Sequence, residues 1–307
     1  MKTPTAILTA DWHCMDGQPV CRTDDLIKTQ IRKWQWLARL QEQYQCPILH
    51  AGDLLDVWKS SPWLLALLFT HLPHGIITIP GQHELPAHKM DRLEESGLWV
   101  LNQSGRVKVL SEGEIDLRGA DGSNFLLCTF PWGRSIKPRS EPDKCLPAVA
   151  MAHTLTYAGK PPFPGAPPEG EALRLLKKFP EYQLILTGDN HEPFVISYKG
   201  RLLVNPGSLL RSEADQVEHQ PRVYLWYADI NIVKEVFVPI RTGVVSREHL
   251  DVKVQKEQRF AAYIERMKGV KRITIHFEDN LKKFFSINDQ SKQVEELVWG
   301  WTEKQEK

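Results

Sequence analysis

The chain has 307 residues, 42% of them hydrophobic and 25% charged, and its 39 Lys and Arg against 38 Asp and Glu leave a net charge of +1. This is length enough for two domains, or one large domain with an appendage. The charge balance excludes a histone-like nucleic-acid binder and an acidic solvating tail. The longest apolar run, Trp63 to Phe69, is too short to cross a bilayer, so no membrane is expected as a partner.

In chain order, Thr5 to Ala10 reads as a strand. From Asp24 onward Ile27, Ile31, Trp34, Leu37 and Leu40 recur at helical spacing, which predicts an amphipathic helix ending before Cys46 and Pro47. Next come a strand at Ile48 to Ala51, a helix over Pro62 to Leu72, a strand at Ile76 to Ile79 and a strand-rich middle from Trp99 to Phe130. A strand at Val149 to Ala152, a helix over Glu171 to Phe179 and a strand at Leu184 to Leu186 continue the alternation, which predicts a layered α/β domain. The Pro-rich stretch Lys160 to Gly170 reads as a surface loop, and strands at Val223 to Ala228 and Lys234 to Ile240 close the domain. After Arg241 the composition turns to Lys, Glu and Gln, which places a boundary near Thr242. A catalytic domain over 1–242 and a C-terminal region over 243–307 result, the latter with a strand at Arg272 to Phe277 and a helix from about Asn288 to Glu306. The N-terminal apolar stretch runs straight into Asp11 and His13 and fits no secretory signal, so the cytoplasm is the expected location. The five cysteines lack paired spacing and are expected to be reduced thiols.

The chemistry-bearing clusters are Asp11-Trp12-His13, Gly52-Asp53-Leu54-Leu55-Asp56, Gly81-Gln82-His83-Glu84, Ala152-His153, Gly188-Asp189-Asn190-His191 and Asn205-Pro206-Gly207-Ser208. Each of the first five follows a predicted strand, and in an α/β sheet the carboxyl ends of strands face the ligand crevice. Residues two apart in an extended segment share a side, so Asp11 with His13, and Asp189 with His191, can serve one centre. Carboxylates, imidazoles and an amide suit Mn, Mg or Fe better than a thiolate zinc site, and the set as a whole points to a dinuclear metal centre. Any one of these clusters alone would be read as a turn or a cap.

Taken together in this order they resemble the calcineurin-like metallophosphoesterases, whose pattern is D-x-H, G-D-x-x-D, G-N-H-D/E, H and G-H-x-H, commonly followed by N-P-G-S. The resemblance covers roughly residues 6 to 210. It implies a layered β-sandwich core flanked by helices, with a small C-terminal α+β cap or docking region. It also implies two divalent metal ions, with Asp11, His13 and His191 on the first, Gln82, His153 and Asp189 on the second, and Asp53 bridging both. His83 would be the general acid, oriented by Glu84, with Asp56 supporting the ligands from outside. Gln82 stands where the family has Asn, and Asp189 where it has the first His of G-H-x-H. Both changes fall on the second metal and favour Mn, with Mg or Fe as substitutes, over Zn. They also motivate an alternative reading as a catalytically impaired scaffold.

Within the superfamily the chain looks most like the SbcD-type DNA-repair nuclease subunits and their phage relatives, which implies a Mn-dependent exonuclease or endonuclease acting on DNA. That likeness implies an SbcC-type ATPase partner docked on the C-terminal segment, whose Val294, Leu297, Val298 and Trp301 form an apolar face, and a homodimer is the further expected assembly. A small-molecule phosphodiesterase or phosphatase acting on nucleotides is the competing enzyme reading. Trp12, Trp58 and Trp132 adjoin the strand-end loops, where an aromatic face could stack on a base, and Arg134 could meet a phosphate. Core packing is the default reading for each of the three tryptophans, and ordinary surface charge for Arg134.

Overall fold

The computed structural model describes residues 3–139, 146–248, 250, 259, 261–262, 277–288 and 291–305. The chain divides into two units, Met1–Arg247 and Glu248–Lys307.

The first unit is built on two six-stranded sheets. One takes β1 (Ala6–Thr9), β2 (Ile48–His50), β3 (Ile76–Thr78) and β4 (Val107–Val109) in parallel, and adds β11 (Arg222–Tyr227) and β12 (Ile232–Phe237) antiparallel beyond β1. The other takes β6 (Asn124–Phe130), β7 (Ala148–Ala152), β8 (Leu184–Thr187) and β10 (Arg201–Asn205) in parallel, with β5 (Gly113–Arg118) and β9 (Phe194–Tyr198) as antiparallel edges.

The alternation of side chains along each strand divides the core into layers. Leu8, Leu49 and Ile77 of the first sheet meet Phe125, Leu127, Val149, Met151, Leu184 and Leu186 of the second in the middle of the sandwich. Their neighbours Ile7, Ile48 and Ile76 face outward under α1 (Leu26–Tyr44), α2 (Pro62–His71) and α3 (Gly97–Gln103). On the far side, Leu126, Cys128 and Ile185 pack under α4 (Ala172–Lys178). Strands covered on both faces are buried at every position, which is why β1, β2, β3, β7 and β8 are short and mostly aliphatic, with Thr9, His50, Thr78 and Thr187 as buried polar residues at their carboxyl ends.

The layered α/β expectation holds, with three local differences. Trp99 to Gln103 is helical, because the Ser96 hydroxyl accepts from the Trp99 N–H and caps α3. The hairpin β9–β10 is not foreseen by the sequence reading; it turns at Lys199 and Gly200, both with positive φ. Asp11 and His13 are not extended, with φ of 50° and 44°. After Arg241 the chain stays on the first unit: Thr23 N–H donates to Val244 O and Ser246 N–H to Cys21 O. Cys14, Cys21, Cys46 and Cys128 are buried free thiols, as expected.

The second unit contains the helices Phe277–Ile287 and Lys292–Gln305. The strand expected at Arg272 to Phe277 lies outside the described residues except for Phe277, which begins a helix. No helix among the described residues is long and apolar enough to cross a membrane.

Candidate metal centre

Five parallel strands deliver the centre. β1, β2 and β3 of one sheet and β7 and β8 of the other end at Asp11 and His13, Asp53, Gln82 and His83, His153, and Asp189 and His191. Backbone bonds lock the crossings: Asp11 N–H donates to Gly52 O at 3.0 Å, His13 N–H to Asp53 O at 3.0 Å and Ser208 N–H to His191 O at 3.1 Å. Gly52 has φ of 94°, and a Cβ there would lie 2.3 Å from His153 Nδ1, so only glycine lets β2 and β7 close on one another.

Asp53 is the hub. Its Oδ2 lies 3.3 Å from His153 Nε2, 3.8 Å from His13 Nε2 and 4.0 Å from His83 Nε2. Its Oδ1 accepts the His83 N–H at 3.1 Å. On one side His13 Nε2 and His191 Nε2 are 3.1 Å apart, beside Asp11. On the other, the Gln82 amide reaches both partners at once, its Oε1 2.7 Å from His153 Nε2 and its Nε2 donating to Asp189 Oδ1 at 2.7 Å. The Gln82 side chain thus bridges His153 and Asp189. Asp189 N–H donates to Asp11 Oδ1 and closes the ring.

Outer groups fix the rings. His153 Nδ1 donates to Ala51 O at 2.6 Å, His83 Nδ1 to Asp56 O at 2.7 Å, and His13 Nδ1 is 3.3 Å from Asp56 Oδ1. Each imidazole therefore turns its Nε2 inward, the arrangement in which a second partner sets the tautomer of a metal-binding histidine. Glu84 does not reach the His83 ring. Its carboxylate accepts the N–H groups of Gly81, Asp53 and Leu55 at 2.7, 3.2 and 2.9 Å, so it holds the backbone of two strand-end loops together. The carbonyl that orients His83 is that of Asp56, and Ala51 O does the same for His153; backbone acceptors leave no mark in a sequence. Asn205 Nδ2, from the N-P-G-S stretch, donates to Asn190 O and Glu192 O and braces the loop carrying His191. Glu213, 3.7 Å from His191 Nδ1, also carries no sequence signal.

The residues fit divalent cations. The buried Asp11 Oδ2 and Asp53 Oδ2 have no hydrogen-bond partner, a costly state for carboxylate oxygens unless a cation completes them. Asp11, His13 and His191 form one group able to hold an ion, Asp11, Asp53 and His153 another, and His13, Asp53 and His83 a third.

Charge follows the same geometry. Burial pushes the Asp11 carboxyl up to about 7, and burial with the charge of Asp53 pushes Glu84 up to about 7. Burial opposes protonation of His13 and His153, but Asp56, Asp53 and Asp11 outweigh it at His13, and Asp53, Asp11 and Asp189 at His153, raising them to about 9 and about 10. Burial and the charge of His13 lower His191 to about 4. Burial alone would raise Asp53, yet His153 and His13 hold it below the usual carboxylate range.

In the metal-free protein His13 and His153 thus keep protons up to about pH 9 and 10, and a metal must displace them. Metal affinity should rise with pH through the neutral range, about tenfold per pH unit for each proton displaced. Calorimetric titration with Mn in buffers of different ionisation enthalpy should show net proton release at pH 7. Uptake independent of pH would mean that the metals bind elsewhere.

Of the other expected contacts, Trp12 is not available to a ligand. It is fully buried in the outer core, its Nε1 donates to Thr9 Oγ1, and its ring packs edge-on against His50. Trp58 and Trp132 are half-buried, with the Trp132 ring 6.2 Å from that of His153. Arg134 is exposed and paired with Glu112 at 3.3 Å.

No family model matches the chain, and no curated protein does. Solved structures align with it at low identity. An archaeal phosphodiesterase is 13% identical over 76% of this chain and 98% of its own, with a TM-score of 0.39. The calcineurin-like phosphoesterase YfkN of Bacillus subtilis is 14% identical over 85% of this chain and 98% of its own, with a TM-score of 0.42. A 5'-nucleotidase-like structure from Staphylococcus aureus is 12% identical over 82% of this chain, which spans 58% of it, with a TM-score of 0.49. At these identities and scores the alignments carry no residue role over to this chain.

Proposed function

We propose that the chain is a Mn-dependent phosphodiesterase that cuts DNA as an SbcD-type nuclease subunit. The observation that carries the hydrolase reading is the convergence of five strand ends on the buried Asp53, whose Oδ2 lies within 4.0 Å of three imidazoles. Asp11, His13 and His191 would hold one cation, Gln82, His153 and Asp189 a second, with Asp53 shared. When bound, such a pair supplies Lewis-acid activation of water and charge neutralisation at the phosphoryl oxygens.

The chain's own groups supply the rest. Burial falls from Asp11, Asp53 and His153 at the floor to half-buried Gln82, Asp189 and His191, and His83 stands at the mouth with 42% of its side chain exposed. A phosphodiester entering from solvent therefore meets His83 first. With Nδ1 donating to Asp56 O, its Nε2 is free to deliver a proton to the departing alkoxide.

DNA as substrate is supported by the order of the motifs and by the C-terminal helices. Phe284, Ile287 and Leu297 are exposed there at 53%, 65% and 66%, an apolar set suited to docking an SbcC-type ATPase or a second copy of the chain. Such a subunit would work in the cytoplasm. The net charge of +1 favours the second reading, a nucleotide phosphodiesterase or phosphatase.

Purified protein with Mn should degrade end-labelled single-stranded DNA and hydrolyse bis(p-nitrophenyl) phosphate, and EDTA should stop both. Nucleotide monophosphates turned over far faster than DNA would give the second reading first place. Absence of turnover on all three substrates would leave the scaffold reading.

A further inference from the structure

We propose that the cavity between α1 and the segment after β12 is a nucleotide-binding site separate from the strand-end centre. The inference does not depend on the hydrolase reading, since no candidate metal ligand lines this cavity.

The site is written along one helical stripe. Thr29, Arg32, Lys33, Trp36 and Arg39 follow the three- and four-residue spacing that puts side chains on one side of a helix, while Leu26, Gln30, Trp34 and Leu37 turn to the core. Arg241, just beyond β12, faces the stripe across a space of about 310 Å³, within the range of small-ligand pockets. Three arginines, Lys33 and an aromatic ring line it, and among the described residues no acidic group does.

Lys33 is the anomaly. A lysine is seldom buried without a countercharge, yet Lys33 is only 5% exposed. Its ammonium donates to Leu209 O, and Arg211 and Arg22 repel it. Asp24, the acid nearest in effect, is already engaged by the Arg22 guanidinium at 2.9 and 2.8 Å and by the Thr29 hydroxyl at 2.7 Å. Burial, with those two arginines, pushes Lys33 down to about 7. Arg39 and Arg241 have no ion pair among the described residues.

An anion placed in the cavity would meet the guanidinium groups of Arg32, Arg39 and Arg241, whose forks match phosphate oxygens. Trp36, half-buried between Arg32 and Arg39, offers a surface on which a base can stack. Arg32 and Arg39 are two helical turns apart, about 10 Å, comparable to the reach of one nucleotide from base to phosphate. The ligand class is therefore a phosphate joined to an aromatic base, taken from either a free nucleotide or a single strand.

Full-length protein in EDTA, which keeps cations from the strand-end centre, is titrated with dAMP, inorganic phosphate and a fluorescein-labelled single-stranded oligonucleotide. Both base-bearing probes, or the oligonucleotide alone if the source is a strand, should bind more tightly than phosphate. Arg32→Ala with Arg39→Ala should weaken binding by about tenfold or more per guanidinium removed, because bonds to charged groups are the strong ones. Arg241→Ala should repeat the loss from the opposite wall. Hydrolysis of a small phosphodiester with Mn should stay at the wild-type rate. The proposal is overturned if inorganic phosphate binds as tightly as dAMP and the oligonucleotide, if neither base-bearing probe binds, or if the variants retain wild-type affinity with unchanged circular dichroism.

Discussion

Asp53→Asn should empty both halves of the candidate centre and lower phosphodiester hydrolysis by about three orders of magnitude or more, since metal stabilisation of a phosphoryl transition state is worth several kcal/mol. The amide can keep the acceptor for the His83 N–H, and the Glu84 carboxylate still holds the Asp53 N–H, so the loop should stay in place. What disappears is the negative charge facing His153, His13 and His83. Without it the imidazoles lose the charge that favours a cation among them. Metal analysis after dialysis, run beside turnover, checks the result; two retained metals would remove Asp53 from its central position.

His83→Ala should cost roughly a hundred- to ten-thousandfold in hydrolysis, the usual contribution of a general acid or base, with metal content nearly unchanged. His83 is the most exposed of the imidazoles around Asp53, and its Nε2 stands 4.0 Å from Asp53 Oδ2, the longest of the three approaches. Those facts suit a group that meets substrate. Because His83 also belongs to a group able to hold an ion with His13 and Asp53, metal and rate must be read on the same preparation. Loss of one metal would recast His83 as a ligand, and wild-type turnover would remove it from the chemistry.

The fold was legible where a strand is buried on both faces, because Ala6–Thr9 and Leu184–Thr187 are aliphatic up to their final threonine and stand out from their polar strand-end loops. It was less legible at α3, where Gly97 to Leu101 shows no clear period and the cap is a single serine. The candidate ligands were found because all of them are side chains at strand ends. The groups that aim them, Ala51 O and Asp56 O, are backbone atoms whose place depends on folding alone. Trp12 follows its core-packing reading and not the base-stacking one: the turn that sends Asp11 and His13 into the crevice sends the residue between them into the core.

That turn has a further cost. Asp11, His13, Asp53 and Asp189 all take left-handed backbone, with φ of 50°, 44°, 56° and 73°. Each such residue is less stable than in an ordinary conformation by about 1–2 kcal/mol, a substantial sum beside a typical net folding stability of 5–15 kcal/mol. The strain is met during folding, before any cation arrives, so the donor atoms need little rearrangement on binding. Stability and metal affinity therefore oppose one another at these four positions. Drift toward glycine there would relax the fold and silence the centre in the same step, and a chain that still holds non-glycine donors at all four carries that burden in every folded copy.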